Sequence, residues 1–359
     1  MTIRDRSGPR TDPPSRRFAT SVVIVTYERP EHLAQCLRCL AEQDVSPDEV
    51  IVVDASVSDQ SQRIALGRSE VTYIRNPAGR GHMTNSRNVG WRASSGDIVA
   101  FIDDDAFAAA DWLEHLITPY GCDWVGAVGG RAARSEFDVP RVAQDVGSIA
   151  RDGQLIGNFD CVADDGLDVC HLIGCNMSFR RHLLEELDGF REDDPGTEVR
   201  EETDVCFRVI ERGYKLRYEP KALVIHVGGP YVRGRRFDVR YEYYAARNHA
   251  QLLVRHFGAH APVVRSFARS TLLESARNAG ASLFRAAARL AGLVVGLVAG
   301  ISSPGRPRGA PKSTGKASAL SAWLDDRGRA IGTADDSYAI QPSDAHGNAA
   351  ATAHRITRR

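Results

Sequence analysis

Two clusters of carboxylates are the residues of this chain best suited to chemistry. Asp103, Asp104 and Asp105 follow a buried apolar run, and a second cluster, Glu201, Glu202 and Asp204, opens a predicted helix about a hundred residues later. Carboxylates crowded at the end of a buried strand repel one another, so a divalent cation usually neutralises them. The first cluster is therefore predicted to bind a metal and the second to supply a base. Together they point to chemistry on a phosphate-bearing substrate.

The metal prediction rests on ligand preference. A hard cation such as Mn²⁺ or Mg²⁺ prefers oxygen ligands and usually binds one or two carboxylates together with substrate phosphates. Asp103 and Asp105 are the expected ligands. The same residues could instead form a solvated turn, followed by an N-cap Asp ahead of a helix at Asp111.

The elements that must position these acids follow an alternating order. Continuous β-branched runs at residues 21–25 and 50–53 alternate with helical patterns, which predicts an α/β fold with a mostly parallel sheet between helices. Ligands of such sheets bind beyond the carboxyl ends of the strands. Tyr27, Asp54 and Asp103 all fall at such ends. Further along, residues 215–218 and 222–225 are predicted as two short strands, the second closed by His226.

Composition bounds the class of protein. The chain has 359 residues, of which 43% are hydrophobic and 26% charged, as in ordinary folded proteins. Acidic and basic residues balance at 46 each, but residues 233–289 contain eleven Arg against three acids, which suggests an anionic partner for that segment. We expect no nucleic-acid partner. The seven Cys form no regular framework and no leader pattern opens the chain, so we expect a cytoplasmic location.

The C-terminal part has a different texture. Residues 290–301 are twelve uncharged residues, too few to span a bilayer, which needs about 20. Behind an Arg-rich stretch they could lie at a membrane surface, or they could simply pack against the catalytic domain. Residues 1–18 and 304–359 are rich in Pro, Gly, Ser and charged residues and are predicted to be disordered tails.

Several further residues are candidates for binding a nucleotide. Asp54 can accept hydrogen bonds from a base or ribose. Arg80, Arg87 and Asn88 lie on a loop and helix well placed to meet a diphosphate through charge-assisted bonds.

Six segments, taken in order, resemble the family-2 glycosyltransferases with the GT-A fold. The resemblance covers roughly residues 19–250. The segments are Val23-Ile24-Val25-Thr26-Tyr27, Val52-Val53-Asp54, Ser86-Arg87-Asn88-Val89-Gly90, Phe101-Ile102-Asp103-Asp104-Asp105, Gly174-Cys175-Asn176-Met177-Ser178-Phe179 and Glu201-Glu202-Thr203-Asp204-Val205-Cys206-Phe207-Arg208. The implied organisation is a GT-A domain over residues 19–258 with a helical extension over residues 259–303.

The resemblance also implies roles for individual residues. Thr26, Tyr27 and Asp54 match nucleoside contacts, and Arg87 matches a basic residue near the nucleotide. Asp103 and Asp105 match the Asp-x-Asp that binds ribose and metal, and Asp104 is grouped with the donor contacts. Glu202 stands where the family usually has the Asp that deprotonates the acceptor, with Glu201 and Asp204 as lesser candidates. His226 matches an extra metal or phosphate contact of some relatives, although an ordinary His at a strand end is an equal alternative.

The implied function is an inverting transfer of a sugar from a nucleotide-diphosphate donor to an acceptor hydroxyl, in cell-envelope, polysaccharide or glycolipid synthesis. The Gln-x-x-Arg-Trp signature of processive synthases is missing, which favours a nonprocessive enzyme, cytoplasmic or peripheral on the inner face of the plasma membrane. A sugar-phosphate nucleotidyltransferase is an alternative, but it would need a Gly-rich loop after the first strand, where Thr26–Pro30 has no Gly. A dinucleotide-dependent oxidoreductase fails for the same reason. A nonenzymatic carbohydrate-binding protein on a degenerate transferase fold is the remaining alternative.

Overall fold

The structure is a computed structural model that describes residues 18–135, 137, 141–143, 145–163, 165–196, 198–228, 238–278, 280, 282–302, 320 and 323–324. The strands are β1 (Thr20–Thr26), β2 (Glu49–Asp54), β3 (Val71–Arg75), β4 (Ile98–Asp103), β5 (Ala106–Ala108), β6 (Val125–Ala133), β7 (Ser148–Ile149), β8 (Leu155–Ile156), β9 (Leu167–Val169), β10 (Asn176–Arg180) and β11 (Lys215–His226). The helices are α1 (Pro30–Ala41), α2 (Gln60–Leu66), α3 (Met83–Ala93), α4 (Trp112–Ile117), α5 (Arg181–Leu187), α6 (Glu201–Glu211), α7 (Val239–Phe257), α8 (Pro262–Asn278) and α9 (Leu283–Ser302).

One sheet organises the catalytic half of the molecule. Its strand order is β3-β2-β1-β4-β10-β6-β11-β5, with β9 also paired to β11. The strands β3, β2, β1 and β4 are mutually parallel, as are β6 and β11, whereas β10 runs antiparallel to β4 and β6. The predicted α/β fold with a mostly parallel sheet is confirmed.

The burial pattern explains this arrangement. All seven residues of β1 are buried, and successive side chains point to opposite faces of the sheet. Val22 and Ile24 join a core with α1 and α4, while Val23 joins a second core with α3, α5 and α6. Each face is therefore covered by helices, as the continuous apolar run of β1 requires.

The prediction of two short strands before His226 was wrong. Residues 215–226 form the single strand β11, with register shifts against β6 between Lys215 and Leu216 and between Glu219 and Leu223. Pro220 lies inside the second irregularity, where a missing backbone N–H is tolerated. Sequence spacing alone cannot distinguish such a bulge from a break.

The C-terminal helices form a layer beside α6. Helix α7 packs along α9, where three glycines allow the backbones to approach closely. A Cβ at Gly292 or Gly296 would overlap the carbonyl oxygens of Tyr243 and Arg247. Arg289 of α9 also pairs with Glu242 of α7 at 2.9 Å. The division predicted at residue 258 coincides with the end of α7, but its status as a domain boundary stays a prediction.

The expected length of the apolar C-terminal element was wrong. Helix α9 begins at Leu283 and includes Arg285 and Arg289, so it is longer than the uncharged run on which the expectation relied. By length and composition it is one helix, among the described residues, that could cross a membrane.

The predicted tails lie mostly outside the described residues, as do Arg233, Arg235 and Arg236 of the basic segment. Where the structure does describe the tails, it differs from the prediction. Phe18 is buried, and Leu320 is buried in the same core as Leu293.

Candidate active site

The carboxyl ends of β1, β2 and β4 meet at one edge of the sheet, where the site lies. Thr26 is in register with Asp54, and Val25 is in register with Asp103. The expected meeting of these strand ends is thus present in the structure. Residues after each strand continue into this edge.

A group able to hold a divalent cation stands at this edge. One ligand atom from each of Asp103, Asp105 and His226 lies within 4.8 Å of the other two. His226 ends β11, and its Nε2 is 3.3 Å from an oxygen of Asp105. Two carboxylates and an imidazole suit Mn²⁺ or Mg²⁺, so the residues fit the metal that the sequence predicts.

The His226 ring carries a proton in this arrangement. Burial lowers its pKa, but the hydrogen bonds with Asp105 and Cys175 outweigh burial and raise the pKa to about 11. Because a metal ligand must be a neutral imidazole, cation binding here would release that proton.

Asp104 turns away from its two neighbours. It is fully buried. Its carboxylate accepts a hydrogen bond from the Thr26 hydroxyl at 2.7 Å and forms an ion pair with Arg29 at 2.8 Å. Burial raises its pKa to about 7 despite these partners. Arg29 also binds Asp105 at 2.6 Å. Thr26 and Asp104, predicted to contact the donor, therefore direct their polar groups at each other, and sequence reasoning missed Arg29 altogether.

Arg87 joins the two acidic clusters. Its guanidinium pairs with Glu201 through Nη1 and with Asp103 through Nη2, the latter at 3.2 Å, and it also donates to the Gly174 carbonyl at 3.1 Å. Its side chain is only 2% exposed. The Arg87 guanidinium therefore bridges the two clusters. Its positive charge, which was predicted to bind a diphosphate, is directed instead at carboxylates of the protein.

Glu201 and Glu202 begin α6 as a coupled pair of carboxyl groups. Burial and the Glu202 charge raise the pKa of Glu201 well above its usual value, with Arg87 opposing. For Glu202, burial is outweighed by the hydrogen bond from Glu201 and by the charge of Arg200, so its pKa is lowered. Glu202 is also half-buried, whereas Glu201 is almost completely enclosed. Glu202 is thus the more exposed member of the pair and the one whose pKa is lowered.

Asp204 occupies a different environment. It is fully buried and accepts from Arg208 at 2.7 Å, from His256 at 3.0 Å and from Arg255 at 3.2 Å. These cations hold its pKa far below the usual range even though burial opposes them. Its oxygens bind cations of both α6 and α7, so the structure shows a structural contact for Asp204, and its role as a base stays a prediction. The i, i+4 spacing of Asp204 and Arg208 was a signal for this in the sequence.

The remaining residues predicted to contact the donor differ in their burial and in the hydrogen bonds they already make. Asp54 is buried and accepts from Tyr73 Oη at 2.9 Å and from the Ser56 N–H at 2.8 Å. Tyr27 is half-buried, and Arg80 is exposed on the loop after β3. Both amide protons of Asn88 are used, on the Phe190 carbonyl at 2.8 Å and on Glu192 at 2.7 Å. A diphosphate contact for Asn88 would require one of those bonds to be replaced.

The segment that leads to Glu202 is bound to helix α3 by hydrogen bonds. Glu198 accepts from the Thr84 N–H at 2.8 Å, and Glu192 accepts from Asn85 at 3.0 Å. Arg200, immediately before Glu201, has φ of +91°, a conformation that favours glycine. Sequence reasoning missed these residues, because nothing in their local pattern indicates a partner on α3.

Comparison with known proteins points to one enzyme family. Residues 21–188 match the family model Glycosyl transferase family 2. A glucosyl-dolichyl phosphate glucuronosyltransferase of Haloferax volcanii is 29% identical over 225 residues, covering 57% of this chain and 68% of that protein. A pre-mycofactocin glycosyltransferase of Mycobacterium tuberculosis is 27% identical over 261 residues, covering 70% of this chain and 51% of its own length. The chain thus spans about half the length of the mycobacterial relative.

A solved mannosyltransferase of Pyrobaculum calidifontis, in complex with GDP-Man and Mn²⁺, is 20% identical with a TM-score of 0.49, covering 80% of this chain and 88% of that one. Residues 21–188 therefore match the family-2 glycosyltransferases, and the relatives named above are glycosyltransferases too. The predicted family and the predicted enzyme class are both confirmed.

Proposed function

We propose that this glycosyltransferase moves a sugar from a nucleotide-diphosphate donor to an acceptor hydroxyl with inversion at the anomeric carbon, in the presence of Mn²⁺ or Mg²⁺. The observation that carries the proposal is the contact of one guanidinium, that of Arg87, with both Asp103 and Glu201. That contact sets the candidate metal ligands beside the helix that bears the candidate base. Donor and acceptor can therefore meet at one edge of the sheet.

Asp103, Asp105 and His226 would hold the cation. When bound, a divalent cation there supplies positive charge to the diphosphate leaving group. Arg29 forms ion pairs with Asp104 and Asp105 in the same turn. These contacts hold the side chains of the turn in place before the reaction, so the side chains need not reorganise when the bond to the leaving group breaks.

Glu202 is the proposed general base. Its lowered pKa keeps the carboxylate ionised near neutral pH, so it can accept the proton of the acceptor hydroxyl as the oxygen attacks the anomeric carbon. The hydrogen bond from Glu201 orients it. A single displacement opposite the leaving group inverts the configuration, because no covalent sugar intermediate is formed.

The acceptor class is proposed from the relatives. The Haloferax protein is named for transfer to a glucosyl-dolichyl phosphate, which supports a glycan or lipid-linked sugar as acceptor and a role in cell-envelope synthesis. A cytoplasmic location is proposed as well. It is supported by the seven cysteines, all of which are free thiols.

The test uses the full chain and a panel of nucleotide sugars. We expect one donor to raise the melting temperature more with Mn²⁺ than with EDTA and to be slowly hydrolysed to the nucleoside diphosphate. With an acceptor, proton NMR of the first product should show the anomeric configuration opposite to that of the donor. Retained configuration would refute inversion, and undiminished turnover in EDTA would refute the metal. Release of pyrophosphate would favour a nucleotidyltransferase, and the absence of any turnover would favour a binding protein.

A further inference from the structure

Helix α9 presents a continuous apolar row to solvent. Phe284 is 80% exposed, Val294 61%, Val298 59% and Ile301 67%. Recurrence at three and four residues places these side chains on one helix face, which is about 26 Å long at 1.5 Å per residue. The exposed members of the row are Phe284, Ala287, Ala291, Val294, Val295, Val298 and Ile301.

The opposite face of α9 fixes this orientation. Gly292, Gly296 and Gly300 lie against α7, where added Cβ atoms would overlap Tyr243, Arg247 and Val254. Turning the helix to bury the apolar row would drive larger side chains into that backbone contact. The row is therefore exposed because of how the helix packs, and it is not a core face left open by chance.

Basic side chains accompany the row. Arg265, Arg269 and Arg277 are exposed on α8, which lies against α9, and Arg285 is exposed on α9 itself. The acid on α8, Glu274, pairs with Arg289 at 2.7 Å. Helices α8 and α9 together therefore carry net positive charge, which is complementary to anionic headgroups.

We propose that α9 lies flat on an anionic membrane surface, with its apolar row among the acyl chains and the arginines of α8 and α9 at the headgroups. This is the geometry of an interfacial amphipathic helix. Crossing the bilayer is the less suitable geometry, because α9 is held along its glycines to α7, whose Asn248 and His249 are buried in the catalytic domain.

Two other occupants are less suitable. A second copy docking face to face would bring like arginines together, which is unfavourable. The described residues after position 302 do not cover the apolar row. Leu320 is buried, and Trp323 and Leu324 pack in the core that contains Leu293, which lies on the inner side of α9.

The first test is vesicle flotation of the full chain. We expect at least tenfold tighter binding to vesicles of phosphatidylcholine with 30% phosphatidylglycerol than to phosphatidylcholine alone, and weaker binding at 0.5 M NaCl than at 0.1 M. The double substitution Val294→Glu with Val298→Glu should reduce binding at least tenfold. Leu66→Glu, at the matched exposure of 61% on α2, should leave it unchanged. Because all three positions are exposed, unchanged melting temperatures should show intact folds.

Contrary outcomes are distinct. The proposal is overturned if the wild-type protein does not bind the anionic vesicles, or if the double variant binds them as tightly as the wild type does. A dimer in sedimentation equilibrium that the double variant dissociates assigns the row to a second copy. Resistance of bound protein to a carbonate wash assigns α9 to a spanning geometry.

A second test separates membrane from self-coverage. Val298→Cys in a Cys122→Ser background is labelled with an environment-sensitive fluorophore, with the Cys122→Ser protein treated in parallel to subtract labelling of other thiols. We expect water-like emission in buffer and a blue shift on adding the anionic vesicles. Emission that is already blue-shifted in monomeric, lipid-free protein would show that another part of the chain covers the row, and would overturn the proposal.

Discussion

Arg87 and Glu201, separated by 114 positions in the chain, form an ion pair in which the side chains are only 2% and 1% exposed. Removing the Arg87 guanidinium leaves the carboxyl groups of Glu201 and Asp103 without their shared cation, at a cost of about 3–5 kcal/mol. We therefore expect Arg87→Met to lower the free energy of unfolding by about that amount, measured by urea denaturation. Arg87→Met with Glu201→Gln should recover part of the loss.

Arg92 provides the matched control on the same helix, since its pair with Asp188 is 46% and 87% exposed. Arg92→Met should cost under about 1 kcal/mol. Equal losses for the two arginines would contradict the assigned importance of the Arg87 contact.

The base assignment predicts a separation of catalysis from binding. Glu202→Gln removes the proton acceptor but keeps the side chain's shape, so turnover should fall by about 10²–10⁴ while donor affinity stays within about twofold. Steady-state rates and donor titrations measure the two effects. Asp204→Asn should instead lower stability, because it disrupts the cation cluster between α6 and α7. A fully active Glu202→Gln enzyme would refute the assignment of Glu202 as the general base.

Asp103 and Asp104 should respond differently to substitution. Asp103→Asn and His226→Ala should each weaken Mn²⁺ binding by about tenfold or more, as followed by the EPR signal of free Mn²⁺. Asp104→Asn should leave Mn²⁺ affinity within about twofold but lower the melting temperature, since it loosens the Thr26 and Arg29 contacts. Loss of Mn²⁺ affinity in Asp104→Asn alone would reverse the assignment.

His256 gives α6 and α7 a pH-dependent contact. Its ring nitrogens lie 3.0 Å from Asp204 and 3.0 Å from Glu211. Burial lowers the pKa of His256, but the two carboxylates outweigh burial and raise it. A raised pKa in the folded state stabilises the protein fully below the unfolded value of about 6.5, and the contribution is lost as pH rises through the folded value.

The stability difference between wild type and His256→Gln should therefore be larger at pH 6 than at pH 9 in urea unfolding. Glu211→Gln, which removes one of the two partners, should show a weaker dependence on pH. A difference that grows with pH would mean that the ring is neutral in the folded protein.

Arg200 combines strain with electrostatics. At φ of +91° a non-glycine residue costs about 1–3 kcal/mol, so Arg200→Gly should stabilise the fold by about 1 kcal/mol after the added flexibility of the unfolded chain is counted. The lost cation should also raise the pKa of Glu202 and move the acidic limb of the rate profile to higher pH.

Asp188→Gly, also at positive φ but in a region that Asp tolerates, is the control and should gain less stability and keep the wild-type pH profile. An Arg200→Gly variant that is less stable than wild type would show that the side chain's contacts outweigh the strain.

The strand-end acids and the order of the elements were predictable because burial periodicity and strand direction are local properties. The direction in which individual polar side chains point was not predictable. Arg87 and Asn88 are adjacent on α3, yet about 100° of helical rotation directs one toward the acids and the other toward Phe190 and Glu192. Likewise, only the tertiary partners Arg29 and Thr26 turn Asp104 inward. Asp103 lies 16 positions from Arg87, but the other partners lie about 75 or more positions away, which no local pattern encodes.

The contact of α7 with both α6 and α9 has a mechanical consequence. Helix α7 packs along α9, and Arg255 and His256 near its C-terminal end bind Asp204 of α6, so α7 sets the spacing between the helix that carries Glu202 and the helix that carries the apolar row. Buried ion pairs on one side and glycine contacts on the other make this spacing a rigid property of the molecule. On the membrane surface proposed above, these helices would set the distance between Glu202 and the lipid, and an acceptor held in that lipid would have to be long enough to reach Glu202.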